Sequence, residues 1–390
     1  MALFGAAMSI APTGRASAFS PEKVDSVIKH KSYSGCDLTN ADLRQPDLAG
    51  ADLRSADLSG ANLSGANLSG ASLGKARLVG ADLSEADLSN ALLYFANLRD
   101  AYLGKAYLTG TKLRGADLTK AFLVEADLTG ANLSQSRMRK SILEGAILRQ
   151  AIILEVGMTD ADLTKADLRD ANLFKSVLIN VHARGADFTG ATLSSVDLSN
   201  ASLENATLNR AKLVHTKFDG AYLVGAKFRH VDLSHRDFTT VQSLTGVDFG
   251  GTDLEETNFK GMRLEGVRLA GANLDGADLT DAAIIDGDLT GASMRDAKLG
   301  QLRFEAISAP RVETLADTEN IETTSWYVSP HGLNQLREAF KTAGMREQER
   351  RVTFVIKKWG RINDPGLESG LNFLLFELTS DYGMSPARPL

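Results

Sequence analysis

The chain has 390 residues, 43 of them basic and 49 acidic, for a formal net charge of −6. That balance excludes a strongly basic nucleic-acid surface, and the lone cysteine, Cys36, excludes an intrachain disulfide framework. No apolar run approaches the roughly 18 residues of a membrane span. Aromatic residues are only 6% while glycine reaches 35 residues, a bias that points to internal repetition.

Residues 1–19 read as a leader. Ala2 to Ala11 is mostly apolar, and Ala16-Ser17-Ala18 has the small-x-small shape of a signal-peptidase site. No Lys or Arg precedes the apolar stretch, so a disordered cytoplasmic leader is the alternative. Over 20–35, Ser20-Pro21-Glu22 is a helix start with Ser20 as N-cap and Pro21 in the first turn. Val24, Val27 and Ile28 then form one apolar stripe, suited to capping whatever follows.

From Cys36 onward an apolar residue returns every fifth position: Leu38, Leu43, Leu48, Leu53, Leu58 and so on to Phe238. A small residue stands two before each centre (Ala41, Ala51, Ala56), and Asp or Asn stands between, as at Asp42, Asp52, Asn62 and Asn67. One extra residue falls between Phe238 and Phe249, in a slip over 239–248, and the repeat resumes through Leu254, Phe259 and Leu264 to Phe304. A period of five fits neither a helix nor a flat strand. It fits a short extended segment, whose small residue and centre face inward while the Asp/Asn faces out, followed by a turn. Glycine is common in that turn because it tolerates positive φ. If each unit turns the chain a quarter circle, four units close a coil of about 20 residues, and coils stack at about 4.8 Å. At roughly 2 kcal/mol per buried leucine, a stack is stable where a single coil is not. Leu38, Leu43, Leu53, Leu128, Phe218, Phe238, Phe249 and Phe259 are expected in this core, with Leu128 intolerant of truncation and Ser134 a tolerant outward position. Phe218, Phe238 and Phe259 are expected to share one side, and Phe188, Phe228 and Phe249 the opposite one.

This pattern, carried by about fifty units over 36–305, resembles the pentapeptide-repeat family. The resemblance implies a right-handed quadrilateral β-helix, a mainly β solenoid with a short N-terminal capping helix. The layout of short leader, small helix and Cys-Asp-Leu opening is similar to exported bacterial members, and favours export or membrane association over the cytoplasm.

Three breaks interrupt the pattern. Ile147 to Met158 lacks the Asp/Asn position and carries Ile147, Ile152, Ile153 and Val156, predicting an apolar outer side. At Val181-His182-Ala183-Arg184 the central leucine is missing. At Arg236 a guanidinium takes the small inward position, and because an unpaired inward charge is very costly the coil is expected to open there. One polar column also emerges. His215 and His235 are 20 residues apart and Glu256 follows across the slip, so the three could hold a zinc ion, or stand as exposed corner residues.

Beyond Glu305 the composition shifts. A Glu- and Thr-rich linker, 306–328, leads to a helical C-terminal domain at 329–390 that opens at Ser329-Pro330. Leu333, Leu336, Ala339 and Phe340 mark one helix ending near Gly344; Val352, Val355, Ile356 and Trp359 mark a second; Leu371, Leu374, Leu375 and Leu378 mark a third. Arg337, Lys341, Arg350, Arg351, Lys357 and Lys358 place a local positive surplus here, suited to an acidic partner or anionic lipid. This segment is similar to the part that, in larger pentapeptide-repeat membrane proteins, joins the solenoid to transmembrane helices of ion-channel type.

No phosphate-cradling, zincin or nucleophile-elbow motif occurs, so the expectation is a non-enzymatic scaffold or protein-interaction module without cofactor, of a kind that could form the soluble part of a membrane-associated protein. The alternative, implied by the resemblance, is a DNA mimic that occupies a type II topoisomerase. Residues 36–305 hold 36 acidic and 29 basic side chains, a charge density far below that of duplex DNA. A protein partner is therefore expected, and direct nucleic-acid binding is not.

Overall fold

The computed structural model describes residues 32–308, 310–318, 337–338 and 340–362. The leader, the helix expected from Ser20, the start at Ser329-Pro330 and the helix through Leu371 to Leu378 lie outside the described residues. The chain divides into two compact units, Met1–Val181 and His182–Leu390.

In the first unit the residue before each centre bridges in parallel to the residue 20 positions on: Asp37 to Asp57, Asp42 to Asn62, Asp47 to Asn67, Asp52 to Ser72. Four bridges per 20 residues make a coil of four short sides, one pentapeptide each. The second unit repeats this from His182–Ser202, lengthens to a 21-residue register at Tyr222–Ser243 and Asp237–Asn258, and returns to 20 at Asp248–Arg268. There the sides lengthen into a parallel three-stranded sheet, β1 (Arg263–Glu265), β2 (Ala283–Ile285) and β3 (Arg303–Glu305), in the order β1-β2-β3. Its buried column is Leu264, Ile284 and Phe304.

The backbone explains each position of the repeat. The centre donates forward one coil (Leu128 N–H to Ile147 O, 2.7 Å) and the residue before it donates back one coil (Asp127 N–H to Ala106 O, 3.0 Å). These bonds join each coil to both neighbours, while the small residue's N–H bonds the preceding centre within its own coil, as Ala131 N–H does Leu128 O at 3.0 Å. Leu38, Leu43, Leu53 and Leu128 are buried, as are the alanines beside them. The outward Asp or Asn has a second task that its outward position alone does not reveal: Asp127 Oδ1 accepts the Thr129 N–H at 2.9 Å, and Asp57, Asn62 and Asp117 accept the same bond from the residue two ahead. This is an Asx-type turn bond, which neither Glu nor Gln is short enough to make as well.

Every corner needs a left-handed residue two positions after the centre, whether glycine (Gly130, φ 63°) or not (Glu125, φ 56°; Lys120, φ 59°). Among the described residues none of these left-handed corners is Val, Ile or Thr, as the steric penalty on β-branched side chains requires. Thr240 stands at the corner position after Phe238 and is not left-handed; the turn instead gains one residue and bends through Val241 and Gln242. The register slip sits where the sequence puts a β-branched residue at a corner that cannot accept one.

Two expectations are corrected here. Ile153 and Val156 do not add to an apolar outer side, because Ile153 is a centre and Val156 fills the small inward position; both are fully buried. Ile147 and Ile152 do stand at the outward position, as does Ile142 just before the stretch. Ser134 is not a free outward residue either: it is buried and its hydroxyl donates to Asn132 Oδ1 at 2.7 Å.

The segment read as a linker from residue 306 still follows the coils at first. Ile307 N–H donates to Gly287 O (2.9 Å), Arg311 N–H to Ala292 O (2.8 Å), and Thr314 Oγ1 accepts the Met294 N–H (3.0 Å). A 3-10 helix, Val312–Asp317, buries Thr314 and Leu315. Farther on, residues 337–338 and 340–342 are helical, and Gly344 (φ 74°) has the left-handed backbone that lets Met345 N–H cap Phe340 O at 2.9 Å. The helix α1 (Arg346–Ile362) follows at once, and Phe340 and Val352 are buried.

Candidate functional site

Outward positions are usually short and polar, so a run of large apolar ones stands out. In the first unit they gather on the coil 91–110. Leu92, Tyr94 and Phe95 lie on one side, Tyr102 and Tyr107 on the two that close the same turn, and Phe95, Tyr107 and Tyr102 are 61%, 56% and 49% exposed. They cover three consecutive sides; the fourth, through Asn97 and Arg99, is polar. Two contacts hold the rings in place. Tyr102 stacks on Phe122 one coil on, with centroids 5.0 Å apart and planes 6° from parallel. Phe95 takes a left-handed corner (φ 57°) and lies over Gly115, where any Cβ would come within 2.5 Å of its ring. An exposed phenylalanine in a backbone conformation unfavourable to bulky residues, seated on a glycine that leaves it room, is a positioned contact group.

In the second unit the coils part at Arg236. Its guanidinium donates to Thr216 O and Leu213 O and lies 6.0 Å from the Phe218 ring. Those carbonyls belong to the coil above, and among the described residues no bridge joins Lys212 to Asp232 or Lys217 to Asp237. Burial pulls the arginine pKa below its ordinary value, with Asp232 opposing the shift. The parted coils leave a cavity of about 520 Å³ lined by His215, Lys217, Phe218, Asp232, His235 and Arg236 among others. We expect Arg236→Ala to stabilise the protein by about 1 kcal/mol, since the repeat's usual residue lets the ladder close and removes a charge from a half-buried position. Chemical denaturation checks this, and a loss of stability would show that the arginine is a structural brace.

The phenylalanines order themselves around this gap. Phe238 stacks on Phe259 at 5.1 Å and Phe228 on Phe249 at 5.7 Å, so these two pairs run coil to coil. Phe218, next to the wedge, packs edge-on against Phe228 at 5.9 Å.

The zinc column is corrected. His235 Nδ1 lies 3.0 Å from Glu256 in an exposed pair. Among the described residues no group of three or more His, Cys, Asp or Glu could hold a metal ion. His215 belongs to the coil that Arg236 separates from the one carrying His235, so coil spacing does not bring the three together.

At the C-terminal end Glu338 takes up two of the expected cations, accepting from Arg337 at 2.8 Å and pairing with Lys341 at 3.6 Å. The hydrogen bond from Arg337, with Lys341 nearby, holds its carboxyl below the usual range. Arg350 and Lys357 are exposed on α1, and the side chains of Arg351 and Lys358 lie outside the described set. Among the described residues no helix is long and apolar enough to cross a membrane.

Coils built of four bridged pentapeptides account for the period of the sequence, and the family model "Pentapeptide repeats" matches the chain in blocks from 36–74 to 263–301, about two-thirds of its length. The chain belongs to the pentapeptide-repeat family. Among solved structures it is similar to HetL, a pentapeptide repeat protein involved in heterocyst differentiation regulation from the cyanobacterium Nostoc sp. strain PCC 7120, with 30% identity over 67% of this chain and 90% of that one and a TM-score of 0.20. It is also similar to full-length QnrB1, a plasmid-mediated fluoroquinolone resistance protein (20% identity, 48% and 86% covered, TM-score 0.23). A pentapeptide repeat protein of the Arabidopsis thaliana thylakoid lumen shares 32% identity over 33% of this chain and 72% of its own, with a TM-score of 0.16. At these TM-scores the likenesses carry no argument beyond the family. No curated protein matches the chain. The family match ends at 301, so the C-terminal likeness to a membrane linker gains no support from it.

Proposed function

We propose that this pentapeptide-repeat protein is a non-enzymatic scaffold whose first unit grips a partner protein through the aromatic band of residues 92–107. The observation that carries the reading is that band. Tyrosine and phenylalanine are enriched at protein interfaces, and here five large apolar residues sit exposed on one coil, with Tyr102 held by stacking and Phe95 seated over Gly115, on a fold whose outward positions are more often short and polar. A band over three sides of one coil suits a partner that embraces the coil and presents apolar side chains to it. The same reading takes the coils as right-handed and the segment 20–35 as their lid. Membrane proximity through the C-terminal cations is the weaker part of it, since Glu338 offsets Arg337 and Lys341.

A photo-crosslinking amino acid in place of Tyr107 tests the proposal in the native cell. One defined protein adduct is expected, and it should vanish when Phe95→Ser and Tyr102→Ser are added. Adducts that are diffuse, or unchanged by those substitutions, would remove the band as the contact surface. The DNA-mimic reading draws on the later repeats, where residues 141–305 hold 24 acidic against 17 basic side chains. It is the less supported, because 36–140 is balanced at 12 against 12 and the band is apolar.

A further inference from the structure

On the fourth side of the first unit, away from the aromatic band, the outward column runs Asp117, Arg137, Gly157 in bridged register. Gly157 stands where the repeat normally places Asp or Asn, and a Cβ built on it would meet nothing within 4 Å. The missing side chain opens a cleft of about 460 Å³ whose charged lining is wholly cationic: Arg99, Lys120, Arg137, Arg139 and Lys140. Thr119 and Thr159 add hydroxyls to its walls.

Two carboxylates brace the cations from outside the cleft. Asp117 lies 3.6 Å from Arg99 and 3.8 Å from Arg137, and Asp160 lies 3.6 Å from Arg139. Burial works against the Asp117 charge, but hydrogen bonds from Thr119 and the two arginines outweigh it and keep its pKa below the ordinary value. Five cations against these two carboxylates leave a surplus of three; Asp100, at the corner one coil before Lys120, adds one more negative charge nearby. Arg137 is held by a single carboxylate and is 76% exposed at its side chain, so its guanidinium can turn to a ligand.

We propose that this cleft binds a small oligophosphate, that is, a compact anion carrying at least three negative charges. Planar guanidinium donors from adjacent columns match paired phosphate oxygens, and the volume falls within the range of small-molecule sites, about 300–1,000 Å³. The extent of the patch favours a small anion over a nucleic-acid strand. One coil before Asp117 the column holds Asn97, and one coil after Gly157 it holds Val177 with Ile179 beside it, so the positive charge does not continue as a track.

Calorimetry of the full chain with inorganic tripolyphosphate at neutral pH and low salt tests this. Saturable binding at one site per chain is expected, weakened at least about tenfold by Arg137→Gln/Lys140→Gln and again by added salt. Orthophosphate should bind at least about tenfold more weakly, since it lacks the charge to engage all the cations. Gly157→Asp is the second variant: it restores the family's usual residue in open space, so folding is retained, and it puts a carboxylate into the cleft. It should abolish binding with the thermal transition unchanged or raised. No saturable heat, or heat that neither variant alters, would overturn the site. Duplex DNA binding lost in both variants, with none to tripolyphosphate, would overturn it in favour of a nucleic-acid surface.

Discussion

Phe249→Ala is expected to destabilise the protein by about 3–5 kcal/mol, the range for truncating a buried aromatic. Phe249 is buried and touches three rings at once: Phe228 at 5.7 Å, Phe238 at 5.8 Å and Phe259 at 6.3 Å. It therefore ties the coil after the register slip to the coil before it, close to where Arg236 has already removed ladder bonds. The ladder through Phe249 itself is intact, its N–H bonding Arg268 O at 2.7 Å, so the cost reads lost ring packing rather than lost pairing. Phe249→Leu supplies the family's common centre and should cost less than about 1.5 kcal/mol, because most of the volume is kept. Hydrogen exchange of the full chain reads the difference. Amides of Phe228, Phe238 and Phe259 should lose protection in the alanine variant while those near Leu43 keep theirs, since coils support only their neighbours. Equal protection loss throughout would mean that the core melts as one cooperative block, and a cost below about 1 kcal/mol would mean that the ring cluster is not a strut.

The inward–outward pattern was legible from the period alone, because a spacing of five leaves no other way to bury Leu38, Leu43 and Leu48 together with Ala41 and Ala51. What the one-letter pattern hid was the chemistry of the other positions. Asp and Asn recur because their short side chains accept the backbone N–H two residues on, as Asp127 does from Thr129. That signal was present in the scarcity of Glu and Gln at the same position. The corner rule was also readable, since Val, Ile and Thr avoid the left-handed positions and Thr240 marks where the register slips. The direction of the Arg236 guanidinium was only half legible. An inward charge implied an opening, but the carbonyls of Leu213 and Thr216 that receive it belong to a coil 20 residues earlier. The metal column failed for the same reason, since equal spacing brings residues together only while the ladder is intact. The basic cleft was missed altogether, because its cations are scattered over 99–140 and converge only once 20-residue stacking is imposed, around a glycine that reads as a minor irregularity.

Leu128→Ala should cost about 2–5 kcal/mol, as core leucine truncations do. Leu128 is fully buried and is a centre in the regular part of the first unit, where its N–H bonds Ile147 O at 2.7 Å and its carbonyl accepts the Ala131 N–H at 3.0 Å. Those bonds survive the substitution, so the loss isolates packing from pairing. The inward side chains beside it are alanines, Ala126 and Ala131, both buried and too small to move into the space; the cavity therefore persists and the cost should fall in the upper half of the range. Thr109→Ala is the matched control. Thr109 is exposed, its backbone carbonyl still accepts the Asn90 N–H at 2.9 Å, and the change should stay within about 0.5 kcal/mol. Ser134→Ala lies between the two, at about 1 kcal/mol, because it strips a hydrogen bond from Asn132 in a buried corner. Urea denaturation of the three variants should therefore rank them Leu128, Ser134, Thr109. If Thr109 and Leu128 cost the same, the inward and outward assignment of the repeat positions fails, and the aromatic band and the phosphate cleft lose the geometry on which both stand.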